Sequence, residues 1–254
     1  MIRVSELRKV FHDRKRGDVA AVDGLSFECT GGQVFGLLGP NGAGKTTTLR
    51  ILSTVLRPSS GTVTVMGYDV VREAHMVRQS LGFLSGDTGV YERLTPREVI
   101  AYFGALYGLP RDTVRQRGEQ LVREFEMESY ADTACGKLST GMKKKVSIAR
   151  ALVHDPQVVI LDEPTSGLDI LISRVLVAYV KRAKESGKCV IYSTHVMAEA
   201  EKLCDRVAII ADGRKLAEGT VGDLKAQTGA PDLEEAFFRL FDARPGASGE
   251  AAPA

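Results

Sequence analysis

The chain has 254 residues, 34 of them basic and 32 acidic, and this length suits one large globular domain or a domain with a subdomain. The resulting formal charge of +2 indicates no nucleic-acid-binding surface. No export signal and no apolar run near the roughly 20 residues of a membrane span are visible, so we expect a cytoplasmic protein in which any membrane contact would come through a partner.

The first third of the chain predicts strands that lead into a glycine-rich loop. Alternating apolar residues predict antiparallel strands over residues 2–11 and 20–29. A short apolar strand over residues 34–38 runs directly into the segment Gly39-Pro40-Asn41-Gly42-Ala43-Gly44-Lys45-Thr46. A helix is expected over residues 45–56, where a Pro-Ser-Ser-Gly run stops it, and a further strand over residues 62–66.

The glycine-rich segment fits the pattern G-x-x-x-x-G-K-[ST] and lies between a strand and a helix, as a phosphate-binding loop must. Its glycines let backbone N–H groups converge on phosphate oxygens, and the helix N-terminus adds partial positive charge. Lys45 is expected to reach the β- and γ-phosphates of a nucleotide, and the Thr46 hydroxyl to hold Mg²⁺. The alternative, a glycine-rich turn with an incidental lysine, is disfavoured by the flanking strand and helix.

The middle of the chain predicts three consecutive helices, over residues 95–107, 112–126 and 140–153. The first opens on Thr95-Pro96-Arg97-Glu98, a capping box with proline at the first helical position. Because strands are expected only on either side, these helices predict a helical subdomain, at about residues 87–154, inserted in an α/β core.

The last part of the chain predicts a parallel sheet. Apolar strands over residues 158–161, 189–193 and 206–211 alternate with helices over residues 171–186 and 196–204, which is typical of βαβ units. A hairpin strand, a helix over residues 231–241 and a disordered tail over residues 243–254 are expected to complete the chain.

Two carboxylates follow the strand over residues 158–161. Asp162 is expected to ligate Mg²⁺ through water, and Glu163 to polarise the attacking water as general base. Many strands end in Asp-Glu, so the pair alone is a weak signal. It becomes specific because the glycine-rich loop occurs earlier in the chain and because the pair is followed by Pro164-Thr165-Ser166-Gly167-Leu168-Asp169.

A third segment, Leu138-Ser139-Thr140-Gly141-Met142, opens a helix with Ser139 as candidate N-cap. Alone it would be a capped helix start without a ligand. In this order along the chain, the three segments resemble those of the ATP-binding cassettes of ABC transporters, whose signature reads L-S-G-G-Q. The resemblance covers about residues 1–225. It implies a P-loop NTPase (RecA-like) α/β core with a parallel sheet, an antiparallel β subdomain and the inserted helical subdomain, followed by a C-terminal helical extension over residues 226–242.

The resemblance also implies roles for further residues. Two cassettes would sandwich two ATP molecules, so that Ser139 and Gly141 face the γ-phosphate held by the opposite subunit. His195 occupies the switch position near the γ-phosphate and the attacking water, and Phe11 lies where the family stacks an aromatic ring on adenine, with core packing as the alternative. The residues implied to bind ATP are Phe11, Gly39, Pro40, Asn41, Gly42, Ala43, Gly44, Lys45, Thr46, Thr47, Ser139, Gly141 and Asp169, the last in the D-loop that touches the opposite subunit. Those implied to be catalytic are Lys45, Glu163 and His195.

One position departs from the family pattern. Where cassettes carry a glutamine before the helical subdomain, this chain has Gly86, and Asp87 is the candidate substitute beside Mg²⁺. Asp162 and Thr46 are the other implied metal ligands. The Gly86-Asp87 pair, the variant signature and the tail Leu233-Glu234-Glu235-Ala236-Phe237 resemble the sodium-extrusion (NatA-type) group of bacterial exporters.

The implied function is that of an ATPase subunit which binds Mg²⁺ and ATP, pairs with a second copy and drives a separate permease from the cytoplasmic face of the membrane, for sodium ion export. Two alternatives stay open: the ATPase subunit of an ABC-2 type exporter for drugs, lipids or polysaccharide, and a regulatory cassette with little hydrolysis. A GTP-dependent switch is disfavoured because Asn41 is the only asparagine, which leaves no Asn-Lys-x-Asp guanine reader. A small-molecule kinase would need neither the signature nor His195.

Overall fold

The computed structural model describes residues 1–13, 17–86, 89–167 and 170–244, and these residues form two sheets. The strands in chain order are β1 (Ile2–Asp13), β2 (Gly17–Cys29), β3 (Gln33–Leu38), β4 (Ser60–Val65), β5 (Tyr68–Asp69), β6 (Leu81–Leu84), β7 (Val158–Asp162), β8 (Cys189–Thr194), β9 (Arg206–Ala211) and β10 (Arg214–Gly219). One sheet is antiparallel, in the order β2-β1-β4-β5. The other has the order β10-β9-β3-β8-β7-β6, and all its neighbours run parallel except β10.

Nine α-helices are assigned in the described ranges. They are α1 (Lys45–Leu52), α2 (Ala74–Ser80), α3 (Pro96–Leu106), α4 (Arg111–Glu124), α5 (Thr140–Leu152), α6 (Ile170–Glu185), α7 (Met197–Leu203), α8 (Val221–Thr228) and α9 (Leu233–Asp242). Helices α3, α4 and α5 follow one another between β6 and β7, with two 3₁₀ turns before α5. In the part of the chain that the structure describes, no helix has the length and apolarity to cross a bilayer.

The parallel sheet is buried on both faces, which explains why its strands are continuously apolar. On β3, Phe35 and Leu37 face a core shared with α1 and the antiparallel sheet. Val34 and Leu38, which alternate with them, face the core shared with α3 to α7. Fully burying side chains of this size contributes about 1.5–3 kcal/mol each, so the two cores fix the sheet from either side.

The predicted capping box of α3 is confirmed. Thr95 accepts a hydrogen bond from the backbone N–H of Glu98, and the Glu98 carboxylate accepts one from the N–H of Thr95. The prediction that α1 continues to residue 56 is wrong. The Ser53 hydroxyl bonds back to the carbonyl of Leu49, and Thr54 adopts a left-handed φ of 64°, so the helix ends at Leu52.

Three elements, α2, α8 and the short strand β5, were not predicted from the pattern. Helix α8 crosses residue 225, so the predicted domain boundary falls inside a helix, and the domain limits stay a prediction. Helix α9 begins at Leu233 because the Asp232 side chain caps it by accepting from the N–H of Glu235. Most of the predicted tail lies outside the described residues, although Ala243 still donates its N–H to the carbonyl of Arg239.

Candidate active site

The carboxyl ends of three neighbouring parallel strands bring the main predicted site residues together. Strand β3 leads into the glycine-rich loop and Lys45, and β7 leads into Glu163. Strand β8 lies between them in the sheet and is followed by His195. Open α/β sheets bind ligands at this edge, because the loops that leave the strands converge there.

The glycine-rich loop encloses a small cavity at the start of α1. Residues 40–47 line it together with Ala21 and Glu163. Gly44 precedes the helix with a left-handed φ of 101°, and a Cβ at this position would lie 2.3 Å from the carbonyl oxygen of Ala21. Only glycine fits there, and the positive end of the α1 dipole lies at the cavity.

Lys45 places a buried positive charge in the cavity wall. Its side chain is 4 % exposed, and Nζ donates to the carbonyl oxygens of Gly39 at 2.7 Å and Pro40 at 3.1 Å. The same Nζ lies 3.3 Å from Oε1 of Glu163. A buried ammonium group needs partners of this kind, and an anionic phosphate is another that suits it.

Asp162 and Glu163 are held by one serine at the end of β8. Ser193 Oγ donates to Asp162 Oδ1 at 2.6 Å and accepts from the backbone N–H of Glu163 at 3.1 Å. Glu163 has a left-handed φ of 44°, a strained conformation that occurs often in functional sites. Within the described part of the chain, the buried Asp162 carboxylate has no ion-pair partner, so a cation brought by a ligand suits it.

The carboxylate of Glu163 lies between a buried cation and an exposed imidazole. Oε1 is 3.3 Å from Lys45 Nζ, and Oε2 is 3.3 Å from His195 Nδ1. The side chain of Glu163 is 24 % exposed and that of His195 is 45 % exposed, so water reaches both. The arrangement can bind a phosphate at Lys45 and hold a water molecule beside Glu163.

The predicted signature residues lie at the start of α5, away from the lining of this cavity. Ser139 caps the helix by accepting from the N–H of Met142 at 3.2 Å, as predicted. A Cβ on Gly141 would lie 2.1 Å from Cδ1 of Ile172 in α6. The missing side chain of Gly141 therefore also serves the packing of α5 against α6.

Phe11 is 41 % exposed on β1, so core packing does not explain it. It pairs with Val19 on β2, two residues before the cavity-lining Ala21. Asp87 and Asp169, the remaining predicted site residues, lie outside the described residues. Gly86, which directly precedes Asp87, is described, and a Cβ built on it would lie 3.9 Å from the carbonyl oxygen of Asp162.

Ser193 was missed by the sequence reasoning, which considered only the histidine in the segment Tyr192-Ser193-Thr194-His195. The signal that could have found it is the pairing of strands. Asp162 and Ser193 are direct partners in the parallel register of β7 and β8. Their side chains therefore meet at the same edge of the sheet.

The fold and this site define a nucleotide-binding ATPase of the phosphate-loop class. The family model described as ABC transporter matches residues 22–166, and the chain belongs to this family. The chain is 41% identical to the ABC transporter ATP-binding protein NatA of Bacillus subtilis (strain 168), over 94% of the chain and 97% of the relative. It is 38% identical to a daunorubicin resistance ATP-binding protein of Streptomyces coeruleorubidus, over 87% of the chain and 70% of the relative.

Solved structures agree with the family. An ATP-binding subunit of an ABC transporter superposes with a TM-score of 0.85 at 30% identity, covering 95% of this chain and 99% of that one. A dimeric ATP-binding cassette in a post-hydrolysis state, bound to ADP and Pi, has the same fold, with a TM-score of 0.79 at 23% identity and coverage of 87% and 98%. The predicted P-loop NTPase fold and the resemblance to ABC cassettes are thus confirmed. The chain is an ATPase that hydrolyses ATP to ADP and phosphate in transport.

Proposed function

We propose that this chain works as a homodimer which binds Mg²⁺ and ATP, drives a separate membrane permease and thereby exports sodium ions. The observation that carries the proposal is the position of Glu163, 3.3 Å from both Lys45 Nζ and His195 Nδ1 beside the glycine-rich loop. A cation, a carboxylate and an imidazole in one row are the groups that hydrolysis of a terminal phosphate needs.

Each side chain then has a distinct task. Lys45 and the loop amides bind the β- and γ-phosphates, and Glu163 accepts a proton from the attacking water. His195 contacts the γ-phosphate and the same water. Phosphoryl transfer spreads charge over the phosphate oxygens in the transition state, and a preorganised positive wall stabilises that charge without reorganising.

Asp162 and the hydroxyl of Thr46 would hold Mg²⁺. Carboxylate and hydroxyl oxygens are ligands that this ion takes, and a buried carboxylate whose side-chain partner among the described residues is a serine hydroxyl fits a bound cation. When bound, the ion neutralises developing charge on the β- and γ-phosphate oxygens.

The separation of the two phosphate-binding elements supports a dimer, which we propose is formed by two copies of this chain. Ser139 is exposed at the N-terminus of the 13-residue helix α5 and does not line the cavity that holds Lys45. A second copy would bring its own Ser139 and Gly141 to the γ-phosphate, where a helix N-terminus stabilises an anion. The dimeric cassette among the structural neighbours supports this assembly.

We propose that the permease contacts the outer surface of α3 and the segment before it. Tyr91, which precedes α3, and Tyr102 and Leu106 on the helix are large apolar side chains that are 52%, 46% and 63% exposed. Two of them contact each other, with the rings of Tyr91 and Tyr102 centred 5.8 Å apart. Exposed apolar clusters of this kind mark protein interfaces, and the chain would then work at the cytoplasmic face of the membrane.

The cargo is chosen by the permease. Sodium is supported by the resemblance to the NatA-type group and by the 41% identity to NatA. The daunorubicin resistance relative supports a second candidate, export of a drug-like molecule, at a slightly lower identity of 38%.

Turnover of purified variants tests the catalytic part of the proposal. Lys45→Ala is expected to abolish nearly all release of phosphate from Mg·ATP, because it removes the buried cation. Glu163→Gln is expected to stop hydrolysis but to accumulate an ATP-bound dimer, measured by light scattering. Glu201→Gln on α7, whose glutamate pairs with Lys225, is the matched control. A Glu163→Gln variant that stays monomeric at saturating Mg·ATP would contradict the dimer.

Transport itself tests the cargo. Inverted membrane vesicles that contain the chain and the permease that co-purifies with it should take up radioactive sodium ions when ATP is added. Vesicles with Lys45→Ala provide the control for passive leakage. Uptake of daunorubicin with no uptake of sodium would replace the first candidate by the second.

A further inference from the structure

Three hydroxyl groups converge on a single oxygen of Glu199, a half-buried residue of α7. Oε2 accepts hydrogen bonds from Thr165 Oγ1 at 2.9 Å, from Tyr192 Oη at 3.1 Å and from Thr194 Oγ1 at 3.2 Å. A carboxylate is an acceptor only, and hydroxyl donors are its natural partners.

The donors come from the two segments that carry the reacting groups. Thr165 follows Glu163 by two residues, in the loop that leaves β7. Thr194 directly precedes His195, and its hydroxyl also accepts from the backbone N–H of Val196 at 3.0 Å. Glu199 thus connects the segment after Glu163 to Thr194, and Thr194 in turn bonds to the residue that follows His195.

The cluster is buried enough for these bonds to constrain the backbone. Tyr192 is 0% exposed and Thr194 is 2% exposed. Burial raises the pKa of the Tyr192 phenol, so this group keeps its proton and donates throughout the physiological pH range. Removing the acceptor leaves buried hydroxyl groups unsatisfied, which forces one or both segments to move.

We propose that Glu199 is a positioning residue for ATP hydrolysis, which holds the segments around Glu163 and His195 at the separation that the reaction requires. The inference rests on the proposed roles of Glu163 and His195. Glu199 itself is not among the described residues that line the cavity at the glycine-rich loop, and it acts through Glu163 and His195 by fixing the 3.3 Å approach of the carboxylate to the imidazole.

The test compares variants of the full chain in Mg·ATP hydrolysis, with turnover counted per site that binds ATP. Glu199→Ala should lower kcat about 10-fold, which corresponds to the loss of charge-assisted hydrogen bonds. The KM for ATP should stay within about twofold, because the residues of the phosphate loop are untouched. Glu199→Gln keeps an oxygen that accepts from the three hydroxyls and should recover most of the lost turnover.

Two further variants keep the test decisive. Thr165→Val preserves the side-chain shape and removes one of the three bonds to Glu199, together with the 3.4 Å bond between Thr165 Oγ1 and Tyr192 Oη, so a smaller loss of about threefold in kcat is expected even if Glu199→Ala folds poorly. Glu201→Gln, on the same helix, controls for the loss of a glutamate. An unchanged kcat with only a lower melting temperature in Glu199→Ala, or no recovery in Glu199→Gln, would overturn the positioning role. Glu163→Gln is assayed in parallel. Full turnover in that variant would contradict the proposed role of Glu163 in hydrolysis, and not the positioning role of Glu199 alone.

Discussion

Acidification is expected to destabilise this chain through His154, which lies just beyond α5. Its ring stacks on Tyr107, with centroids 3.6 Å apart, and its Nε2 lies 3.2 Å from the carbonyl oxygen of Leu81. Within the described residues, its Nδ1 is buried without a hydrogen-bond partner. Burial lowers the pKa of His154 from 6.5 to about 4, because the charged imidazolium would lose its hydration.

The size and sign of the effect follow from this pKa. Below about pH 6.5 the unfolded chain binds a proton at His154, whereas the folded chain resists protonation down to about pH 4. The unfolded state binds more protons inside this window, so the contribution to stability is complete above it and is lost as the pH falls. At about pH 5 the loss is about 2 kcal/mol relative to about pH 8.

His154→Phe keeps an aromatic ring on Tyr107 and removes the titrating group. Between about pH 8 and pH 5, the free energy of unfolding of the parent should fall by about 2 kcal/mol more than that of the variant. Urea unfolding followed by far-UV circular dichroism measures it, since the chain has no tryptophan. His75→Phe, exposed on α2, is the matched control. A parallel loss of stability in the parent and in His154→Phe would refute the reasoning.

Two further predictions concern the walls of the site. Ser193→Ala removes the 2.6 Å bond to Asp162 and should lower kcat about 10-fold and also lower the thermal midpoint, because the buried carboxylate loses its donor, as initial rates and melting curves would show. An unaltered kcat would mean that the serine does not fix the carboxylate. Gly44→Ala should abolish ATP binding in titration calorimetry, because its Cβ would lie 2.3 Å from the carbonyl oxygen of Ala21. Gly67→Ala is the control, since Gly67 also has a positive φ but nothing lies within 4 Å of its Cβ; equal binding losses in both would contradict the steric explanation.

Much of the fold was predictable because its signals are local. The apolar runs of β3, β7, β8 and β9 and the caps of α3 and α5 each lie within a few consecutive residues. The end of α1 was misjudged because the competing bond from Ser53 to Leu49 leaves no trace in the apolar period. Helix α8 carries a signal that could have been used, since Thr220 and Asp223 form a reciprocal capping box.

The residues of the site also differ in whether a local sequence pattern could reveal them. The phosphate loop and the pair Asp162 and Glu163 are contiguous in sequence, so their motifs were readable without any knowledge of the fold. Ser193 lies 31 residues from the Asp162 that it holds, and Glu199 lies 34 residues from Thr165. These contacts depend on the order of strands, in which β8 follows β3 and β7 in the chain but lies between them in the sheet. No local pattern specifies that order. The residues proposed to contact the nucleotide were therefore accessible from sequence, whereas the residues that hold them became visible only once the sheet was assembled.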